Sequence, residues 1–97
     1  MIVTTTPEVP GKTVVEYKGI VFGEEISVRT AVGFNVQKNL DELKNMLMRT
    51  KYGALNHLIY KASQMGANAV IGMSFTVDHE AGSICVSATG TAVVVEG

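Results

Sequence analysis

The feature that most constrains the fold of this chain is the segment from Met65 to Ser74, where the spacing of apolar residues changes. Before it, apolar residues recur with the period of about 3.6 residues that is typical of a helix; after it, they alternate with polar ones as in a strand. Gly66 lies at the change, and glycine adopts the left-handed backbone of a helix C-cap without steric cost. The sequence therefore predicts a helix that ends at Met65 and a strand from Ala69 to Val77.

The last third of the chain predicts a β-hairpin. Apolar and polar residues alternate over 69–77 and again over 83–95, and Ala81-Gly82 supplies the turn. The apolar faces coincide in a register with these pairs: Val77 and Val86, Phe75 and Ala88, Met73 and Gly90. The second strand would be about 40 Å long if straight, so we expect a bend at Gly90. Its other face carries Ser and Thr residues and no charged ones. This composition favours a face that lies in an intersubunit surface or a barrel interior over a face exposed to solvent.

The N-terminal part predicts two further strands. The β-branched run Ile2–Thr6 ends before Pro7, and a second strand covers Thr13–Phe22, where Gly19 permits a bulge. The Gly-Glu-Glu sequence at 23–25 is expected to end or bend this strand. The segment 26–36 has no clear period, and we interpret it as a strand continuation followed by a loop.

A long helix is predicted from Asn39, which is a suitable N-cap because Glu42 follows at the capping-box spacing. One side of this helix carries the apolar stripe of a helix packed on a sheet: Leu40, Leu43, Leu47, Ala54, Leu55, Leu58, Ile59, Ala62 and Met65. Lys44 and Lys51 fall in the same sector, so we expect either an irregularity near 49–53 or a helix end that extends beyond the core. An unbroken helix over 39–65 would be about 40 Å long, and part of it is expected to kink or to pack on another subunit.

Size and composition favour a single domain, 1–97, that covers part of its surface by self-association. The chain is 46% hydrophobic, and a domain of this length buries only about two-thirds of its unfolded surface. The net charge of −1 provides no field that would attract nucleic acid. The sequence shows no secretory signal and no apolar run of membrane-spanning length, and a lone cysteine excludes an internal disulfide. We expect a cytoplasmic protein without nucleic-acid or membrane partners.

Three sequence blocks, following an opening Thr-Thr-Thr-Pro, carry a resemblance to a known family: 16–24 (EYKGIVFGE), 65–72 (MGANAVIG) and 87–93 (SATGTAV). The blocks are similar to the motifs of the YbjQ family, small bacterial and archaeal proteins labelled as candidates for heavy-metal binding. The resemblance implies a dodecin-like α+β subunit, an antiparallel sheet crossed by one long helix, whose strands assemble into an oligomeric ring or barrel of five copies. It implies no established activity. Between Ile26 and Tyr52 the chain is short and lacks the Arg-Asp and Gly-Gly-Arg loop motifs of other members, which leaves open any function of that loop.

The family label directs attention to soft-metal ligands. Such a site needs converging thiolate and imidazole groups, usually about four ligands. The candidate ligands for a divalent or soft metal ion are Cys85, Asp78 and His79, all near the hairpin tip. In the predicted register Cys85 faces Asp78, His79 points to the other side, and His57 is predicted to face solvent. One chain would not form a closed site, but symmetry-related copies could meet around an axis; the alternative is that Cys85 is a small packed residue and His79 a surface turn residue.

Three classes of function follow from these observations. The favoured one is a homo-oligomeric binding or scaffold protein, pentameric by resemblance, with an intersubunit site for a small ligand or another protein. The second is a metal-binding protein that uses symmetry-related Cys85, Asp78 or His79. An enzyme ranks last, because the sequence offers no set of acid, base and nucleophile and no identifiable cofactor site.

Overall fold

A computed structural model describes residues 1–28, 36–80 and 82–97, with the side chains of α1 described from residue 40 onward. Its elements are β1 (Ile2–Val3), β2 (Thr13–Val28), α1 (Val36–Gln64), β3 (Ala69–Glu80) and β4 (Ser83–Glu96). The strands form one sheet in the order β1-β3-β4-β2, and α1 packs across one face. The α+β class is confirmed, but the predicted antiparallel sheet is mixed, because β1 pairs parallel to β3.

The β3–β4 hairpin has the predicted register from its tip as far as Ser74. Val77 pairs with Val86, and Phe75 pairs with Ala88. The predicted Met73–Gly90 pair is replaced by a bulge in β3, because the register shifts between Ile71 and Ser74. Gly72, with φ of 60°, lies in this bulge. The predicted turn residue Ala81 lies outside the described residues.

β1 is shorter and β2 is longer than predicted. β1 contains only Ile2 and Val3, whereas β2 continues through Gly23 to Val28 and pairs antiparallel with β4 from one end to the other. The predicted bulge at Gly19 is confirmed by a register shift after Tyr17 and by a φ of 122°. The predicted strand continuation after Ile26 is also present as far as Val28, and the predicted loop at 29–35 lies outside the described residues.

α1 begins at Val36, three residues before the predicted start at Asn39, and is unbroken to Gln64. Its 29 residues correspond to a length of about 43 Å. Because the helix is continuous, the alternative of an irregularity near 49–53 is wrong, and the other alternative, a helix end that extends beyond the core, stays a prediction. The predicted cap is confirmed, because Gly66 has φ of 84° and its N–H donates to the Ser63 carbonyl at 3.0 Å. In the described part of the chain, no helix combines the length and apolarity needed to cross a bilayer.

A close approach between α1 and β2 organises the main core. A Cβ at Gly23 would lie 2.3 Å from the Ala54 carbonyl oxygen and 2.3 Å from the Leu58 backbone nitrogen. Glycine therefore allows α1 to rest directly on the β2 backbone. The buried side chains around this crossing come from α1 and from the facing sides of the strands: Val21, Met46, Ala54, Leu58, Ala62, Val70, Ile84, Val86, Ala88 and Ala92.

The N-terminal segment covers one end of the opposite sheet face. Val9 packs there in a second, smaller cluster with Ala69, Ile71, Val93 and Val95. Backbone hydrogen bonds from Gly72 N–H to Thr6 O (2.8 Å) and from Met73 N–H to Thr4 O (3.0 Å) hold the segment along β3. It therefore covers the outer edge of β3 as far as Met73 and does not reach the half of the sheet near the hairpin tip.

Candidate functional site

The hairpin tip carries the residues predicted as metal ligands. Asp78 pairs with Cys85, and both lie on the sheet face opposite α1. His79 pairs with the buried Ile84 and lies on the α1 face, where it borders a hollow together with Leu43. The hairpin register therefore places His79 on the other sheet face from Asp78 and Cys85, as predicted, although His79 also borders the hollow that those two residues line. Cys85 is a half-buried free thiol.

Asp78, His79 and Cys85 all border a hollow of about 340 Å³ that Ile26, Glu80 and Ser83 also line. Among the residues that the structure describes, no three His, Cys, Asp or Glu side chains converge as potential metal ligands. A closed soft-metal site needs about four ligands, so a single described chain does not fit one. The register also places Cys85 and His79 on opposite faces of the sheet, which does not favour a Cys–His nucleophile pair.

β2 exposes a row of apolar side chains on the sheet face opposite α1. The row, here named the β2 apolar strip, consists of Ile20 (66% exposed), Phe22 (51%), Ile26 (63%) and Val28 (78%). It runs beside the uncharged Thr and Ser residues of β4, with Phe22 opposite Thr89 and Ile20 opposite Thr91. Soluble monomers rarely expose large contiguous apolar patches, and those that do commonly use them for binding. The strip is therefore the candidate for an interaction surface on this face.

A second apolar surface lies between α1 and β3. α1 covers β2 and β4 more fully than β3, and Phe75 and Val77 stay partly exposed on the α1 face. Phe75 lines a hollow of about 200 Å³ together with Met48, Tyr52 and Leu55 of α1, and Lys51 stands at its border. This α1–β3 groove offers aromatic and thioether contacts for an apolar group, with one cation beside it.

His57 extends from α1 to the outer edge of β2, which corrects the prediction that it faces solvent. Its Nδ1 accepts a hydrogen bond from the Glu24 N–H at 3.0 Å and lies 3.3 Å from the Glu24 carbonyl oxygen. The prediction failed because α1 lies near the sheet edge, where a side chain well away from the buried stripe still meets β2.

The comparisons with known proteins support the family assignment that the three motif blocks suggested. The family model for YbjQ, described as "Putative heavy-metal-binding", matches residues 1–96. The chain belongs to the YbjQ family. A UPF0145 protein of Clostridium botulinum is 37% identical over 113 aligned positions, which cover 99% of this chain and 100% of that protein. A UPF0145 protein of Listeria monocytogenes is 39% identical over 112 positions, which cover 99% of this chain and 96% of that protein.

These aligned spans exceed the 97 residues of the present YbjQ-family chain. The two relatives therefore carry residues that this chain lacks, and the location of the shortening between Ile26 and Tyr52 stays a prediction. A crystal structure of a DUF74-family protein of unknown function from Pediococcus pentosaceus matches with a TM-score of 0.75, covering 99% of this chain and 98% of that one at 20% identity. At this identity the likeness shows the fold alone.

The β2 apolar strip was missed at the sequence level. The available signal was an alternation that continues from Ile20 through Phe22 to Ile26 and Val28, interrupted only by Glu24. It was obscured because the Gly-Glu-Glu sequence at 23–25 has the composition of a turn. The structure shows that Gly23 belongs to the strand and is required by the helix above it.

Proposed function

We propose that this YbjQ-family chain works as a homo-oligomeric binding or scaffold protein, a ring of five copies with a ligand site between subunits. The observation that carries the proposal is the β2 apolar strip, in which four large apolar side chains are each more than half exposed. Apolar surface gains about 25 cal/mol per Å² when it leaves water, so association has a clear driving force. The number of five comes from the family resemblance.

The shape of the subunit supports self-association. Its accessible surface is 6199 Å² for a mass of 10.3 kDa, whereas a monomeric protein of this mass typically exposes about 5,350 Å². The difference, about 850 Å², is close to what one partner buries in a standard interface. The radius of gyration is 16.3 Å, compared with about 12.5 Å for a compact domain of 97 residues.

The α1–β3 groove is the ligand site that we propose for the assembly. Within one chain it is an open hollow of about 200 Å³ with an almost wholly apolar lining, smaller than the roughly 300–1,000 Å³ of typical ligand pockets. A neighbouring subunit beside Phe75 would supply the missing wall. The ligand class is a small apolar or aromatic molecule, or an apolar side chain of another protein, and Lys51 would favour a negative group at its border.

Native mass spectrometry of untagged protein, without added metal and followed by denaturation, tests this proposal. We expect a five-fold assembly; excess mass that disappears on denaturation would identify a non-covalent ligand, and a strict monomer at micromolar concentration would contradict the proposal. Phe22→Asp is expected to reduce the assembly to smaller species. The matched control is Tyr60→Asp: Tyr60 is 60% exposed but lies about 200° around α1 from the buried Leu58, so the mass should not change.

The alternative proposal is a heavy-metal-binding protein in which several copies contribute Cys85, Asp78 or His79 to one site. It is supported by the family description and by the cross-strand pairing of Asp78 with Cys85. A combined Cys85→Ser, Asp78→Ala and His79→Ala variant should lose affinity for Zn²⁺ in calorimetric titration while keeping its oligomeric mass. Unchanged affinity would remove this alternative. A cytoplasmic location stays a prediction under either proposal.

A further inference from the structure

We infer that the α1–β3 groove binds a free long-chain carboxylate, whose hydrocarbon tail lies along the groove and whose carboxylate lies on the side of Lys44 and Lys51. This inference rests on the proposed binding function and narrows the ligand class of the same site. Three properties of the groove carry it: the groove is elongated, its lining is apolar, and its border is cationic.

The groove extends beyond the hollow at Phe75. A second hollow of about 390 Å³ lies between the same two elements, with Leu47 on the helix side and Val77 on the strand side. Phe75 and Val77 share the α1 face of β3, so the two hollows follow one another along one groove. Along α1 the groove runs from Leu43 to Leu55, a distance of about 18 Å. The two hollows together reach the roughly 300–1,000 Å³ of typical ligand pockets.

The lining of both hollows is almost wholly apolar. Met48 is 56% exposed and Tyr52 is 59% exposed, so large apolar groups border the groove without being covered by the described part of the chain. The thioether of Met48 adapts to a flexible partner. A linear hydrocarbon tail would contact both hollows and remove their apolar surface from water, whereas a single planar ring would fill only one of them.

Lys44 and Lys51 give the groove its charge. Both fall in the apolar sector of α1, and the continuous helix keeps them there. Each borders one of the two hollows, and they project from the same side of the helix about 10.5 Å apart. A carboxylate would therefore meet a lysine whichever way the hydrocarbon tail runs.

No negative charge of the described residues competes for this position. Neither lysine forms an ion pair within the part of the chain that the structure describes, although Lys51 is half-buried. The described residues that line the two hollows include no carboxylate. Charge complementarity therefore favours an anionic amphiphile over a neutral or a cationic one.

Calorimetric titration of the untagged protein with octanoate, decanoate and dodecanoate, each below its micelle concentration, tests the inference. Each methylene that leaves water should tighten binding about fourfold, so each step of the series should tighten it about fifteenfold. Dodecyltrimethylammonium has a hydrocarbon tail of the same length and the opposite charge, and it should bind about tenfold more weakly than dodecanoate. Equal affinity for these two amphiphiles, or an affinity that does not rise with tail length, would overturn the inference.

A pair of double variants tests the role of the lysines. Lys44→Gln with Lys51→Gln should weaken dodecanoate binding about tenfold without weakening that of dodecyltrimethylammonium. The matched control is Lys12→Gln with Arg49→Gln, which removes the same charge from two exposed residues outside the lining of both hollows. The control should keep the wild-type affinity. An equal loss in both double variants would overturn the inference, because it would indicate a response to net charge alone.

NMR of labelled methionine methyl groups locates the ligand in the wild-type protein, so this measurement does not depend on the folding of a variant. The Met48 methyl lies in the groove, while Met65 borders a different hollow beside Ile20 and Phe22, about 25 Å farther along the direction of α1. Dodecanoate should shift the Met48 signal and leave the Met65 signal unchanged. A shift of Met65 without one of Met48 would place the ligand at the β2 apolar strip and overturn the inference.

Native mass separates failure of this inference from failure of the proposed homo-oligomer. An intact oligomer that does not bind dodecanoate would overturn the inference and leave the oligomer standing, and this is the result expected if a neighbouring copy fills the groove. Binding to phosphatidylglycerol vesicles without binding of free dodecanoate would also overturn it, since the occupant would then be a membrane. A monomeric wild-type protein that binds the series with the expected dependence on tail length would contradict the proposed ring and support the inference.

Discussion

Replacing Gly23 with alanine tests whether α1 rests directly on the backbone of β2. The added Cβ would lie 2.3 Å from Ala54 O and Leu58 N and 2.7 Å from Leu58 Cα. Ordinary contacts of this kind are more than 3.4 Å, so the helix has to move by about 1 Å, and no rotamer change relieves a clash with backbone. Overpacking of a core costs about 1–3 kcal/mol and occasionally more. We expect a loss near the upper end, about 3 kcal/mol, which corresponds to a fall in Tm of about 12–24 °C.

The matched control is Gly53→Ala, on the helix side of the same crossing. Its Cβ would meet Glu25 Cγ at 2.8 Å and Cδ at 3.1 Å, but this side chain is exposed and can move away. Alanine is also favoured over glycine inside a helix by about 1 kcal/mol. Thermal unfolding followed by circular dichroism, at one protein concentration because the chain is proposed to associate, should show Gly53→Ala equal to or more stable than the wild type. A Gly23→Ala protein within about 0.5 kcal/mol of the wild type, or less affected than Gly53→Ala, would refute the close contact.

Three further predictions concern single polar contacts. Asn68→Ala should lower the free energy of unfolding in urea by about 1–3 kcal/mol. The Asn68 side-chain amide accepts from the N–H of the buried Val95 at 2.8 Å and donates to its C=O at 3.0 Å. A decrease below about 0.5 kcal/mol would contradict this prediction. Thr50→Val and Ser27→Ala should show a coupling energy of about 1 kcal/mol in a double-mutant cycle of unfolding free energies. The reason is that the two hydroxyl oxygens lie 2.7 Å apart and Thr50 is only 1% exposed. Additive effects of the two substitutions would contradict this hydrogen bond. His57→Ala should speed hydrogen exchange of the Glu24 amide without changing that of Val21, and an unchanged Glu24 rate would exclude the His57 contact.

Local patterns predicted the C-terminal half of the fold well. The pairing of Val77 with Val86 follows from the apolar–polar alternation, because a one-residue slip would move every apolar side chain to the other sheet face. The end of α1 follows from Gly66, which adopts the left-handed backbone of a helix C-cap. The length of β2 was not predictable in the same way. Gly23 resembles a turn residue in the sequence, and its role appears only when α1 is placed above it.

The candidate metal ligands show the same limit. The cross-strand pairing of Asp78 with Cys85, and the opposite side for His79, follow from the hairpin pattern. Whether copies of these residues meet depends on how several chains assemble. The spacing of residues along one chain carries no information about that assembly. His57 was misplaced for a related reason, because a helical wheel describes one helix and not the sheet edge beside it.

Sedimentation equilibrium of the wild-type YbjQ-family chain at micromolar concentration tests the central claim of self-association most directly. The claim predicts a single species of five times the chain mass of 10.3 kDa, and Phe22→Asp should abolish it while Tyr60→Asp does not. A wild-type protein that sediments as a monomer of 10.3 kDa would contradict the claim and would mean that the β2 apolar strip stays exposed to water.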